Sequence, residues 1–136
     1  MQNFVRFVSG ALLTASYVKK QVDVTVEWGK DNILQIAPNV SIDSNAGISR
    51  YLARVASDFK AYGSNLVEET EVDHWISFSL GPLSCTQEFA ASVEYLDHVL
   101  GPVTYLVGNQ ITIADLIVWG TLLCKNFIIN SHLFEK

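Results

Sequence analysis

The apolar residues of this chain change their spacing near residue 44, and the earlier spacing does not return. Upstream, Val22, Val24 and Val26 alternate with Asp23, Thr25 and Glu27, a period of two that predicts a strand over Val22–Trp28. Asn3–Val8 is apolar on both faces and predicts a strand covered on both sides. Ile33–Ala37 and Val40–Asp43 predict two further strands joined at a Pro38-Asn39 corner. Between the first two strands, Ala11–Lys20 reads as a short helix with Leu12, Ala15 and Val18 inward and Lys19-Lys20 at its end. From Ser44, a capping residue, the spacing becomes i, i+3, i+4, i+7. Ile48, Tyr51, Leu52 and Val55 form one apolar face of a helix over 45–56. The order β-α-β-β-β-α predicts an α/β half with helices packed on a small mixed sheet.

Everything after that helix is helical. Glu68, Glu69, Glu71 and Asp73 crowd a helix start, where negative charge meets the positive end of the dipole. That helix runs through Trp75, Ile76 and Leu80 and breaks at Gly81-Pro82. Ser84 and Gln87 predict a capping box for a second helix, with Phe89, Val93, Leu96 and Leu100 on its buried side and Gly101-Pro102 at its end. Thr112-Ile113-Ala114-Asp115 opens a third, running through Leu116, Val118, Trp119 and Leu122. The expected division is a β/α subdomain over residues 1–60 and a helical one over 61–136, joined too tightly for a flexible linker.

Charge narrows the function classes. The 136 residues carry 9 basic and 14 acidic side chains, a net charge of −5, with Lys19-Lys20 the one adjacent basic pair. Phosphate contacts need clustered Lys and Arg, so direct nucleic-acid binding is not expected. Cys85 and Cys124 have no metal-ligand spacing, and His74, His98 and His132 match no metal motif, so neither metal nor cofactor is expected. Cys85 fits a helix-start thiol of lowered pKa or an inert half-buried one. The amino terminus lacks the charge and apolar run of a signal peptide, and no stretch approaches the roughly 20 apolar residues of a membrane span, so a cytoplasmic chain is expected.

A thioredoxin-like β/α half followed by a helical bundle resembles the glutathione transferase fold. Three segments carry the resemblance: Ile48-Ser49-Arg50-Tyr51-Leu52, Tyr105-Leu106-Val107-Gly108-Asn109 and Thr112-Ile113-Ala114-Asp115. The last is similar to that family's buried capping box, in which Thr112 accepts from the N–H of the third following residue and Asp115 reaches back to the cap N–H. Longer runs, Arg50–Ala56, Tyr62–Leu66, Asp73–Ile76 and Thr104–Asn109 among them, resemble the amino-terminal domains of the glutamyl-prolyl-tRNA synthetases of animals.

A glutathione transferase needs a hydroxyl or thiol after its first strand, a cis-proline before its third, and an acidic-Ser pair capping the next helix. Ser9 stands near the first position, Asn32-Ile33-Leu34 offers no proline at the second, and the third reads Ser44-Asn45, or Asp43-Ser44 in a shifted frame. The resemblance therefore implies a non-catalytic interaction domain; the alternatives are an active glutathione-dependent transferase and another transferase-like translation scaffold. The aminoacylating activity, for Glu and Pro, would belong to the parent synthetase. In that family such domains dock onto the transferase-like domains of methionyl-tRNA synthetase and of two scaffold proteins in the multi-tRNA synthetase complex. They pair through the helix after the sheet and the first helix of the bundle. Arg50, Ala53 and Arg54 on one helix, and His74, Ser77 and Phe78 on the other, are the expected interface residues. Such a self-complementary face also allows a homodimer in isolation. The family continues with further helices and Asn126–Lys136 departs from its pattern, so a helical half ending at Lys136 is expected to be truncated or differently closed.

Overall fold

The computed structural model describes residues 9–22 and 33–134, the last ten of these as helical backbone. Five helices and one hairpin occupy them: α1 Gly10–Val18, β1 Leu34–Ala37, β2 Val40–Ile42, α2 Asn45–Val55, α3 Leu66–Leu80, α4 Phe89–Leu100 and α5 Ile113–Phe134. Among these residues the chain is mostly helical, with one two-stranded antiparallel sheet. The strands expected over Asn3–Val8 and, beyond Val22, over Val22–Trp28 lie outside the described residues.

The hairpin forms where its turn residues place it. Leu34 pairs with Ile42 and Gln35 with Ser41, then the register slips at a bulge so that Ala37 pairs with Val40 across Pro38-Asn39. Helix α2 starts as its cap dictates, Ser44 Oγ accepting from the Gly47 N–H at 3.0 Å. Its packing differs from the expected single stripe. Ile48 and Leu52 join Ala11, Ala15 and Val18 of α1, whereas Ala46 and Ala53 join Trp75, Ile76, Ile113 and Ile117 in a second cluster. A helix covered on two sides needs small residues on one of them. Ala53 is therefore buried, at 3% exposure, and Val55 turns outward, at 47%.

Helix α1 also departs from its expected stripe. Ala11, Thr14, Ala15 and Val18 are buried and Leu12 is half-exposed. Thr14 can stand inside because its hydroxyl donates to Gly10 C=O at 2.7 Å and can accept from the Ser49 hydroxyl, 3.2 Å away. The helix ends at Val18, so Lys19-Lys20 follow it rather than form its last turn.

In the helical half, Asn65 caps α3 by accepting from the Glu68 N–H at 3.0 Å, and Glu68 reaches back to the Ser64 N–H at 3.0 Å. The capping box expected at Ser84 and Gln87 does not form. Ser84 ends a short 3-10 turn and donates to the Ser79 carbonyl at 2.5 Å, while α4 begins after Glu88 without a side-chain cap. The 3-10 turn drives Leu83 into the core, and the serine follows the turn's geometry. On α4, Leu96 is buried and Phe89 half-buried, but Val93 and Leu100 stay exposed.

Helix α5 is central. Ile113, Ala114, Leu116, Ile117, Val118 and Gly120 are all buried. Its entry is tied to the end of the α2 segment: the Ile113 N–H donates to Ala61 C=O at 2.8 Å, and Gln110 Nε2 donates to Phe59 C=O at 2.7 Å.

Candidate functional site

The chemistry on the surface of α2 and α3 comes from where each helix is held. Capping at Ser44 and burial of Ile48, Leu52 and Ala53 leave Arg50 at the rim and Arg54 exposed. Capping at Asn65 and burial of Val72, Trp75 and Ile76 leave Asp73 half-exposed, with His74 and Ser77 outward and Phe78 half-buried. Arg50 Nη2 lies 3.2 Å and Nε 3.3 Å from Asp73 Oδ1, and the Tyr62 hydroxyl donates to the same oxygen. One carboxylate thus links α2, α3 and the segment between them. Arg54, one turn beyond Arg50, sets its guanidinium carbon 4.7 Å from the centre of the Tyr62 ring. Burial, then the bond to Asp73, holds the Tyr62 phenol above its ordinary pKa.

His74 and Phe78 belong to a neighbouring aromatic run. His74 meets Trp75 with ring centres 5.2 Å apart, Trp75 meets Phe78 edge-on at 5.4 Å, and Phe78 meets Tyr95 of α4 at 5.7 Å. Arg50 and Arg54 are therefore brought together, His74 and Phe78 are grouped apart from them, and Ala53 does not reach the surface. Sequence reasoning missed Tyr62 and Asp73. Its one available signal was that Arg50 and Arg54, four apart on a helix edge, need anionic or aromatic company from another element.

At the α5 start, Asp115 performs its expected half of the box, Oδ2 accepting from the Thr112 N–H at 3.2 Å. Its Oδ1 accepts from the Leu106 N–H at 3.1 Å, tying the preceding loop to the helix. Thr112 does not perform the other half. Its hydroxyl is buried and makes no hydrogen bond among the described residues; the Asp115 N–H goes to the Thr112 backbone carbonyl instead, at 3.1 Å. Burial raises the Asp115 carboxyl pKa, against the pull of the Leu106 and Thr112 N–H groups.

The positions matched to glutathione chemistry are used by the backbone. Ser9 is buried and accepts from the Leu12 N–H at 3.3 Å as the α1 cap, and Ser44 caps α2. A cavity of about 210 Å³ between these helix starts is walled by Leu80, Ile117, Gly120 and Cys124. Burial pushes the Cys124 thiol up, away from the thiolate form. Cys85 ends the 3-10 turn rather than opening a long helix. No cluster of three or more His, Cys, Asp or Glu able to hold a metal occurs among the described residues, and no described helix is long and apolar enough to cross a membrane. In the helical half, an open cavity of about 340 Å³ lies between Leu100, Tyr105, Leu106 and Trp119, the last 52% exposed.

No protein-family model matches the chain. Individual relatives do. The bifunctional glutamate/proline–tRNA ligase of Mus musculus is 46% identical over 112 residues, which are 82% of this chain and 7% of that protein. The Drosophila melanogaster protein of the same name is 39% identical over 118 residues, 85% of this chain and 7% of its own length. The chain is homologous to one short segment of these ligases. The likeness read from Arg50–Ala56 and its companion runs is thereby borne out. Glutamate/proline–tRNA ligases share their relation to this chain with elongation factor 1-gamma 1 of Oryza sativa subsp. japonica, 31% identical over 129 residues, 73% of this chain and 31% of that protein. The region aligned with the ligases includes the Arg50–Asp73–Tyr62 cluster's helices within a span that is 7% of their length.

Proposed function

We propose that this chain is a non-catalytic docking domain of glutathione-transferase-like fold, divided near residue 60 and serving the translation machinery as part of a glutamate/proline–tRNA ligase. Homology to the ligase segment and to elongation factor 1-gamma supports the translation setting. The observation that carries docking is the α2–α3 face. Arg50, Asp73, Tyr62 and Arg54 are already linked to one another before any partner arrives, so little side-chain entropy is lost on association. Exposed apolar residues, Val55 on α2 and Leu66 and Val67 at the start of α3, supply surface to bury beside the charges.

The partners are the transferase-like domains of methionyl-tRNA synthetase and of the scaffold proteins of the multi-tRNA synthetase complex, met through a pseudo-two-fold pairing of like faces in the cytoplasm. Aminoacylation belongs to the rest of the ligase. Mixing the purified chain with each partner domain and measuring mass by light scattering tests this reading. A one-to-one complex at micromolar concentration is expected; free species alone with every partner would refute it. Ser9→Ala is expected to leave that complex intact, because Ser9 caps α1 inside the chain.

A further inference from the structure

We propose that Arg54, rather than Arg50, is the side chain of this face that recognises the partner, and that its target is a carboxylate on the partner's surface; the inference rests on the docking reading above. The two arginines sit one helical turn apart and look interchangeable in the sequence. Their surroundings differ. Arg50 directs Nε and Nη2 to Asp73 Oδ1 at 3.3 and 3.2 Å, so its charge is answered within the chain. It is a positioning residue: it fixes Asp73, which holds the Tyr62 hydroxyl, which keeps the buried ring in place.

Arg54 uses that ring as a platform. Its guanidinium lies over the Tyr62 face at 4.7 Å, and no carboxylate lies within ion-pair distance of it among the described residues. An aromatic face cannot take up the charge as a carboxylate does, so N–H donors of the guanidinium remain available, in a fork that matches a carboxylate's two oxygens. The stem is held and the donors are free, which is the preorganised half of a bidentate ion pair. Phosphate would fit the same fork. A chain of net charge −5 is repelled far more by the dense charge of a polyphosphate backbone than by a single carboxylate in a protein surface of mixed charge, so a protein carboxylate is the target.

The test uses the methionyl-tRNA synthetase domain as probe and measures its affinity for wild type, Arg54→Glu, Arg54→Lys and Arg50→Lys at low and high salt. Arg54→Glu is expected to weaken binding by about 100-fold or more, and Arg54→Lys by about tenfold because the planar fork is lost. Arg50→Lys is expected to weaken binding less than Arg54→Lys does while lowering the melting temperature, since its partner is internal. Restoration of Arg54→Glu binding by a Glu→Arg or Asp→Arg change on the probe would identify the carboxylate. Arg54→Glu binding like wild type, with the wild-type complex intact, overturns the assignment of Arg54 and leaves docking standing. Failure of the wild-type chain to bind this probe moves the same measurement to the scaffold-protein domains, and failure to bind any of them overturns both.

Discussion

Gly120 of α5 and Gly10 of α1 approach so closely that a Cβ on Gly120 would lie 2.6 Å from the Gly10 nitrogen. A Cβ on Gly10 would in turn stand 2.9 Å from the Ile117 Cα. Backbone meets backbone at this crossing, and it joins the β/α segment to the central helix. Alanine is about 1 kcal/mol better than glycine in a helix interior, which opposes the steric effect. Sterics should win because the atoms met are backbone and cannot swing aside. Gly120→Ala is expected to lower stability by about 1–3 kcal/mol in urea unfolding. Gly101→Ala is the control: its Cβ would meet nothing nearer than His98 O at 3.4 Å, so no loss is expected.

Thr112 and Asp115 stand in one motif and should respond in opposite ways. The Thr112 side chain is 1% exposed and its hydroxyl has no hydrogen-bond partner among the described residues. Thr112→Val keeps the shape and removes a desolvated hydroxyl, so it is expected to be neutral or stabilising, where loss of a working cap costs about 1 kcal/mol. Asp115→Ala orphans the Leu106 and Thr112 N–H groups, at about 1–3 kcal/mol for each donor that water cannot reach. Thermal unfolding of the two variants beside wild type decides both.

The Asp115 carboxyl has its pKa raised above the ordinary 3.8, chiefly by burial. The native state therefore binds the proton more tightly than the unfolded chain, and stability falls as pH rises from about 3.8 through the raised value. Asp115→Asn removes that titration. The stability difference between wild type and Asp115→Asn should accordingly shrink with rising pH across this window. A difference that grows would contradict the burial argument.

Tyr62 gives the corresponding test at the docking face. Its phenol is held above 10.0 by burial and by the bond to Asp73, so the contribution of that hydroxyl is complete below pH 10.0 and is lost as pH rises through the higher native value. Tyr62→Phe should cost about 1 kcal/mol at neutral pH, a discounted figure because Asp73 is half in solvent. Subtracting its tyrosinate absorbance titration from that of wild type should isolate a group ionising later than free tyrosine.

The sequence alone determined the features that depend on neighbours within three or four residues. The hairpin corner at Pro38-Asn39, the Ser44 cap and the helix stops at Gly81-Pro82 and Gly101-Pro102 were legible because a turn residue or a cap satisfies its own local backbone. The relation to the ligases was legible in runs such as Arg50–Ala56. Tertiary packing alone decided which way the side chains of α2 turned. Apolarity says that a residue prefers to be covered, not from which side, and α2 is covered from two, so Ala53 went inward and Val55 outward. Packing likewise placed Ser84 on a 3-10 turn and left the Thr112 hydroxyl without a partner. The division between the two arginines belongs to the same class: Arg50 and Arg54 differ only because Asp73 and Tyr62, distant in the chain, fold against one and beneath the other.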